Sequence, residues 1–399
     1  MKSQKERQLK QRAKEQRRRA RKVRRKLSDA ARLFRFISKQ VNGLLPTLRP
    51  EHQITLAMFI TGLLRSRNGQ LSQIGRKVQY DHQKPSLEMR FRRFVCNPNI
   101  EVAQLYQPLV RQLLAAVGTD DPLVLMVDTT QMGGKCLCLM VSLYYKNRAL
   151  PLDWLVVKGK KGHLSQELQL SLFKRVKALL PAQASVVLLG DAEFDGCEVI
   201  KWLQTDTAWQ YVFHTQENIH IGYQGQQHSL TEWLLELEIQ PLMETFLTEV
   251  TFTAEHQVPQ QNIMVVWHEA EQRHEFLVTN CTTFAQAQGY YRLRYTTETL
   301  FADLKGRGFH LTQSRLWIPE RLNRLLAVAC WAYYLMVFLG VEAIFSNLFR
   351  ELVRTDAFVH SLFQLGLMLL DYLLNEGLSF PKTIDLPPPK TITHYVISP

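Results

Sequence analysis

The chain has 399 residues, of which 46% are hydrophobic and six are cysteine. That length and apolar content fit a large folded domain with one or two smaller ones and exclude a chain that is disordered throughout. The formal charge of +13 is unevenly placed: residues 1–26 hold 14 Lys and Arg against Glu6 and Glu15, a local net of +12, which leaves about +1 for the other 373.

Residues 1–45 read as a basic arm with a connecting amphipathic stretch. A segment as charged as Arg17-Arg18-Arg19 and its surroundings cannot bury enough apolar surface to fold alone. It is either a solvated tail or an arm that releases counterions from nucleic acid; RNA or an anionic membrane would attract it too. The N-terminus lacks the apolar core of a signal peptide. The cysteines (Cys96, Cys136, Cys138, Cys197, Cys281 and Cys330) contain no C-x-x-C pair, so a zinc module is not expected. Nothing in them suggests disulfides, which fits a reducing cytoplasm.

Residues 46–118 read as an all-helical domain. Leu56, Phe59, Ile60, Leu63 and Leu64 stand at helical spacing, Asn68-Gly69 makes a break, and Leu71, Ile74 and Val78 define a second short helix. Pro85-Ser86 then opens a third helix carrying Arg90, Arg92 and Arg93. Three short helices, the last rich in arginine, suggest a DNA contact of the helix-turn-helix kind, although a small bundle with a basic face has the same pattern.

From residue 122 the texture changes. Leu123–Val127 reads as a buried strand ending in Asp128, and residues 136–145 and 149–157 as two more in a meander. Leu164–Leu180 is helical and stops at Pro181. Val186–Leu189 is another buried strand, ending in Gly190-Asp191; Glu198–Gln204 is helical and Trp209–His214 extended. Residues 215–288, with alternation in Asn262–Trp267 and Glu275–Thr279, read as an inserted β-rich subdomain. A long helical region follows from about residue 286. Within it Leu325–Phe345 is apolar enough to span a membrane, but Gly340, Glu342 and its isolation point to a buried helix packed on a sheet. Residues 346–399 read as a helical region and an irregular tail with Pro387-Pro388-Pro389.

The most specific pattern is YRLRYTTETLFADLK, residues 291–305, in which Tyr291, Arg294, Glu298 and Lys305 follow Y-x2-R-x3-E-x6-K. On a straight α-helix, at about 100° per residue, these four fall within a roughly 60° arc. One face then offers an acid, two cations and a phenol; a solvated face of i,i+4 ion pairs is the bland alternative. Two strand-ending aspartates stand upstream. Clustered carboxylates stay ionised beside a cation, and oxygen-only donors favour Mg²⁺ or Mn²⁺ over zinc. Two such ions, about 4 Å apart, activate water or a sugar hydroxyl and stabilise the leaving oxygen of a phosphodiester.

The sequence resembles the DDE transposases of bacterial insertion sequences, in the Y-R-E-K group of insertion-sequence-four type. The resemblance rests on MVDTT around Asp128, LLGDAEFDG around Asp191, and the stretch Tyr291–Lys305. It covers roughly residues 120–340, more loosely the helical part before; Ala192 departs from the bulkier or basic residue common in relatives. It implies a ribonuclease H-like catalytic domain over 119–345, a mixed five-stranded sheet with a β-rich insertion at about 215–288, in which the first and fourth strands are adjacent. It implies Asp128, Asp191 and Glu298 as catalytic metal ligands for two Mg²⁺ (Mn²⁺ possible), and Tyr291, Arg294 and Lys305 on the DNA backbone. Trp267, with Trp233 second, is the candidate to stack on a flipped base, a core role being the alternative.

The implied activity is cut-and-paste transposition: binding of terminal inverted repeats, hydrolysis to a free 3′-hydroxyl, and joining to target DNA. A homodimer on DNA, no membrane partner, and a bacterial, nucleoid-associated location in the cytoplasm go with it. A metal-dependent DNA nuclease of the same fold and a catalytically silent DNA-binding descendant are the alternatives. Among nearby acids, Asp303 is expected to face away from Glu298 and Asp195 to cap the next helix. His163 is expected to be a loop contact.

Overall fold

A computed structural model describes residues 28–78, 84–159, 162, 164–346, 348–353 and 360–389. The basic arm, His163 and the last ten residues lie outside them. The described part divides into two compact units, one of residues 28–108 and 324–386, the other of 109–323 and 387–389.

The first unit is helical. In α1 (Asp29–Leu44), Leu33, Ile37 and Val41 recur every four residues and are buried, and Ser28 caps the start by accepting from the Ala31 amide at 3.2 Å. α2 (Pro50–Ser66) opens with proline at its first turn and is buried on every side from Thr55 to Leu64, which makes it the central helix. Gly62 permits α3 (Leu71–Lys77) to press in, since a Cβ there would lie 2.6 Å from the Ile74 side chain. The break between α2 and α3 is made by Arg67, left-handed at φ 50°. The arginine-rich α4 (Lys84–Cys96) is anchored on its apolar side, with Phe91 stacked on Phe59 at 4.4 Å. α5 (Val102–Val117) runs from the first unit into the second.

Ten strands form one sheet in the second unit, in the order β3-β2-β1-β4-β5-β10-β9-β8-β6-β7. β1 (Leu123–Gly133), β2 (Cys136–Tyr145) and β3 (Arg148–Lys158) form the antiparallel meander. β1 also pairs in parallel with β4 (Val186–Gly190), which pairs in parallel with β5 (Gln210–Thr215). Between them lie α6 (Gln166–Leu179) and α7 (Cys197–Asp206), whose Phe173 and Trp202 rings stack at 6.3 Å. Central strands are apolar without a break because both faces are covered: Leu125, Met126 and Val127 are fully buried, worth about 1.5–3 kcal/mol each. β1 does not stop at Asp128. It continues to Gly133 because β2 pairs with it from Leu125 to Gly133, so Asp128 lies mid-strand, opposite Met140.

The β-rich insertion is not a separate sheet. β6 (His220–Tyr223), β7 (Gln226–Ser229), α8 (Leu230–Glu236), β8 (Thr245–Phe252), β9 (Val258–His268) and β10 (Arg273–Thr279) extend the first five strands, because β10 pairs antiparallel with β5 from Phe276↔Thr215 to Thr279↔Val212. Five strands alone therefore understate the sheet.

After β10 come α9 (Phe284–Tyr291) and α10 (Thr296–Ala302), then a π-helical segment over Asp303–Arg307 and a 3₁₀ turn over Leu311–Ser314. α11 (Pro319–Phe345) is the long apolar helix, 94% buried over its most apolar window. Its residues from 324 onward belong to the helical unit. The reason is a pair of glycines: a Cβ at Gly340 would lie 2.0 Å from the Leu362 carbonyl, and one at Gly366 would lie 1.8 Å from that of Met336. Two bare backbones thus allow α11 to meet α13 (Leu362–Asn375), α12 being the short turn Phe349–Leu352.

Candidate active site

Strand register sets the first two acids. The last parallel pair between β1 and β4 is Met126↔Leu189, and two residues on from each are Asp128 and Asp191. In a parallel pair, equal steps bring residues to the same level, and steps of two return to the same face. Asp128 is 6% exposed, and its Oδ1 accepts from the Thr129 amide at 2.6 Å. β4 ends at Gly190, where a Cβ would lie 2.9 Å from the buried Phe194 ring. The chain then turns, with Asp191 Oδ1 accepting from the Glu193 amide at 3.0 Å and the Asp191 carbonyl from the Phe194 amide at 3.0 Å.

Asp195 does not cap α7; Gly196 occupies that position. Asp195 instead accepts from the Thr215 hydroxyl at 2.7 Å, and burial raises its carboxyl to about 6, with Thr215 pulling it down and Asp191 pushing it up.

Residues 291–305 do not form the single straight helix from which the 60° arc is drawn. α9 stops at Tyr291, and α10 starts five residues later. Between them the amides of Arg294, Thr296, Thr297 and Glu298 bond to carbonyls three residues back, at 3.0–3.1 Å, a tighter winding than an α-helix. Past Ala302 the winding loosens into the π segment, where the Gly308 amide reaches the Asp303 carbonyl at 2.9 Å. The four signature residues still engage one another or the sheet. Arg294 lies 3.3 Å from Glu298, and its guanidinium is 5.7 Å from the centre of the Tyr291 ring. Lys305 donates to the Thr130 hydroxyl at 2.7 Å, and Thr130 shares a face of β1 with Asp128. Thr296 holds the start of α10 on the same strand, 3.6 Å from the Met126 sulfur.

Arg294 is the hub of the site's charge. Burial works against its cation, but Tyr291, Asp128, Glu298 and Asp191 together raise its affinity for the proton. Tyr291 is itself held above the usual phenol range by burial, and Arg294 draws it back down. Two residues that the sequence pattern did not single out join this cluster. His214 lies 3.7 Å from Glu275; burial lowers the imidazole while Glu275 raises it, so its neutral form is favoured. An open cavity of about 420 Å³ lies beside them, lined by Thr215, Glu217, Arg273 and His274 as well as His214.

The donors suit a hard divalent cation in kind, since Asp128, Asp191 and Glu298 offer oxygen alone. Among the described residues no three His, Cys, Asp or Glu side chains gather closely enough to hold a metal ion. Glu298 is 62% exposed and turned to Arg294, so the guanidinium supplies the positive charge among the acids. Asp303 faces elsewhere: it is buried, 3.6 Å from Arg148 of β3, and burial raises its carboxyl to about 6 against the pull of Arg148 and Arg307.

The remaining predicted contacts are scattered. In the helical unit, Arg90 donates to the Thr55 hydroxyl at 2.8 Å, Arg92 pairs with Glu88 at 3.4 Å, and Arg93 is exposed. Trp267 in β9 is half-buried, edge-on to His274 at 5.0 Å. Trp233 is a core residue, 2% exposed between Tyr223 and His228, and its indole donates to the Ile221 carbonyl at 3.4 Å.

Comparison with known proteins adds a family. No curated protein sequence matches the chain. A cryo-EM structure of piggyBac transposase in a synaptic complex with hairpin DNA is similar at a TM-score of 0.46 and 12% identity, over 86% of this chain and 78% of that one. A crystal structure of human ENDOV is similar at 0.24 and 15%, over 55% and 91%. Neither score is high enough to equate the folds. The family model described as "Transposase DDE domain" matches residues 130–335, a span that begins two residues beyond Asp128 and contains Asp191, Arg294, Glu298 and Lys305. That match covers just over half of the 399 residues, and the chain belongs to the DDE-domain transposase family.

Proposed function

We propose that the protein is a cut-and-paste transposase that cleaves and rejoins phosphodiesters at the ends of a mobile element, with Asp128, Asp191 and Glu298 as its metal-binding acids. The observation that carries this reading is that Asp128 in β1 and Asp191 just past the end of β4 follow the last parallel pair of these neighbouring strands, with Arg294 interacting with both and with Glu298. The strand order β3-β2-β1-β4-β5 supports a ribonuclease H-like catalytic core, and the Y-R-E-K spacing supports the insertion-sequence-four group.

In this reading Asp128, Asp191 and Glu298 would hold Mg²⁺, or Mn²⁺, as two ions. The chemistry supplied by the bound ions is activation of the attacking oxygen and neutralisation of charge at the phosphate. The chain's own residues hold the strand. Arg294 would release Glu298 to the ligand set and turn its fork to a phosphate oxygen, Lys305 would do the same from Thr130, and Tyr291 would support Arg294 through its ring. Arg92 and Arg93 contact inverted-repeat DNA from the helical unit, with Arg90 bracing their helix on Thr55. Trp267 is placed to stack on a displaced base, and a pair of protomers holds the two ends before either joins target DNA.

The test is cleavage of a labelled end fragment in Mg²⁺. Asp191→Ala or Glu298→Ala should abolish the product while end binding stays nearly intact; unchanged cleavage in both variants would remove the triad. A joining assay with a pre-cut end separates this reading from a nuclease of the same fold. Binding that ignores Mg²⁺, with no product on any substrate, would instead support a silent DNA-binding protein.

A further inference from the structure

Trp317, just before α11, is 65% exposed, and Ile318 beside it is 40% exposed. An indole left in water forgoes a large burial gain, so a positioned and exposed one is informative. Trp317 is positioned. The β1–β2 turn passes through Gly134 at φ +53°, and a Cβ on Gly134 would lie 2.4 Å from the Trp317 ring. The ring therefore lies directly against bare backbone. The Trp317 carbonyl also accepts from the thiol of buried Cys136 at 3.5 Å.

The surroundings are basic. Lys135 follows Gly134 in the turn and is exposed; Lys158, also exposed, stands opposite Cys136 across the β2–β3 pairing. Arg315, exposed, precedes Trp317 by two residues, and Glu320 is the acid that tempers this charge near Cys136. An aromatic face among cations is the arrangement that holds single-stranded nucleic acid, by stacking on a base and pairing with phosphates. In a continuous duplex each base face is already stacked, so the fitting occupant is an unpaired one. Asp128 and Gly134 are six residues apart along one strand and its turn, roughly 20 Å at strand rise.

We propose that Trp317 is a stacking platform for an unpaired DNA base, on a strand that passes about 20 Å from the candidate acids, with Lys135, Lys158 and Arg315 on its phosphates. This rests on the reading of the chain as a DNA-processing transposase.

The test uses the full chain without divalent ions and fluorescein-labelled oligo-dT of about 20 nucleotides, beside a blunt duplex of equal length. Trp317→Ala should weaken oligo-dT binding by roughly tenfold, whereas Trp317→Phe keeps most of it. Duplex binding should change much less. Titration with unlabelled oligo-dT should quench wild-type indole emission, and Trp317→Phe should lose that component. Unchanged oligo-dT affinity in Trp317→Ala, or equal weakening on the duplex, overturns the platform. If that occurs while the wild type still cleaves element ends in Mg²⁺, the transposase reading stands and only the platform falls. If the wild type binds neither oligonucleotide, both fall together.

Discussion

Two kinds of scaffold carry the three acids, and they differ in what holds them. Asp128 and Asp191 are set by backbone: β1 and β4 are buried parallel neighbours whose last pair is Met126↔Leu189, Asp128 pairs on with β2, and Asp191 is fixed in the turn that leaves β4. Glu298 is carried by a seven-residue helix between the tight turn over 292–295 and a π segment, and its side chain is mostly exposed. Its placement depends on side chains: Thr296 on Met126, Lys305 on Thr130, Arg148 against Thr299 and Asp303. Register is specified by the whole hydrophobic pattern, whereas a short helix moves if one tether is lost. All three acids should therefore be chemically sensitive, but the aspartates structurally indifferent and the glutamate segment structurally sensitive as well.

The sharpest test of that contrast is Asp128→Asn. An amide oxygen can still accept from the Thr129 amide, so the unfolding midpoint should hold. Mg²⁺-dependent cleavage should fall by about 10³-fold or more, the loss expected when several kcal/mol of charge stabilisation go. A variant that unfolds earlier by several degrees would show that the aspartate is structural after all.

Next in size is Arg148→Met. It leaves the Asp303 carboxylate buried without its guanidinium, at a cost of about 3–5 kcal/mol in urea unfolding near pH 7.5. The cost should shrink as pH falls toward 6, because the Asp303 carboxyl, no longer drawn down by Arg148, takes up a proton at a higher pH than in the wild type. A loss that does not depend on pH would mean that packing, and not charge, holds the segment.

The smallest effect is expected at Asp195, beside the strand-set pair. Its carboxyl is raised from 3.8 to about 6 in the fold. The folded state thus binds the proton more tightly than the unfolded one. This contributes stability below about pH 4 that is lost as pH rises through about 6. Asp195→Asn should flatten that part of the stability–pH curve, worth roughly 3 kcal/mol by the size of the shift. An unchanged slope between pH 4 and 6 would assign the titration elsewhere.

Much of this layout was legible in the sequence. Unbroken apolar runs before Asp128 and Asp191 announced buried strands, and the i,i+4 spacing of Arg294 and Glu298 announced their contact. The winding changes were not legible, because Arg-Leu-Arg-Tyr over 292–295 contains only ordinary helix formers. Gly306 and Gly308 were the sole local hint of the loosened turn. The burial of Arg148 left no sign, since a charged residue after a turn reads as surface. Strand pairing over long separations is likewise absent from local pattern, which is why β6–β10 read as an insertion apart from the sheet. α11 was legible as buried, but its partner was not, since the reciprocal Gly340 and Gly366 lie on different helices.

The continuous sheet has a metric consequence. Adjacent strands are about 4.8 Å apart, so Trp267 on β9 lies three ladder steps from β4, roughly 14 Å. A module on a flexible tether would have to find that separation anew with each encounter. Here it is written into hydrogen bonds, and the ladder acts as a fixed ruler. Under the proposed function, a DNA end held at β9 would be set at that fixed distance from Asp191.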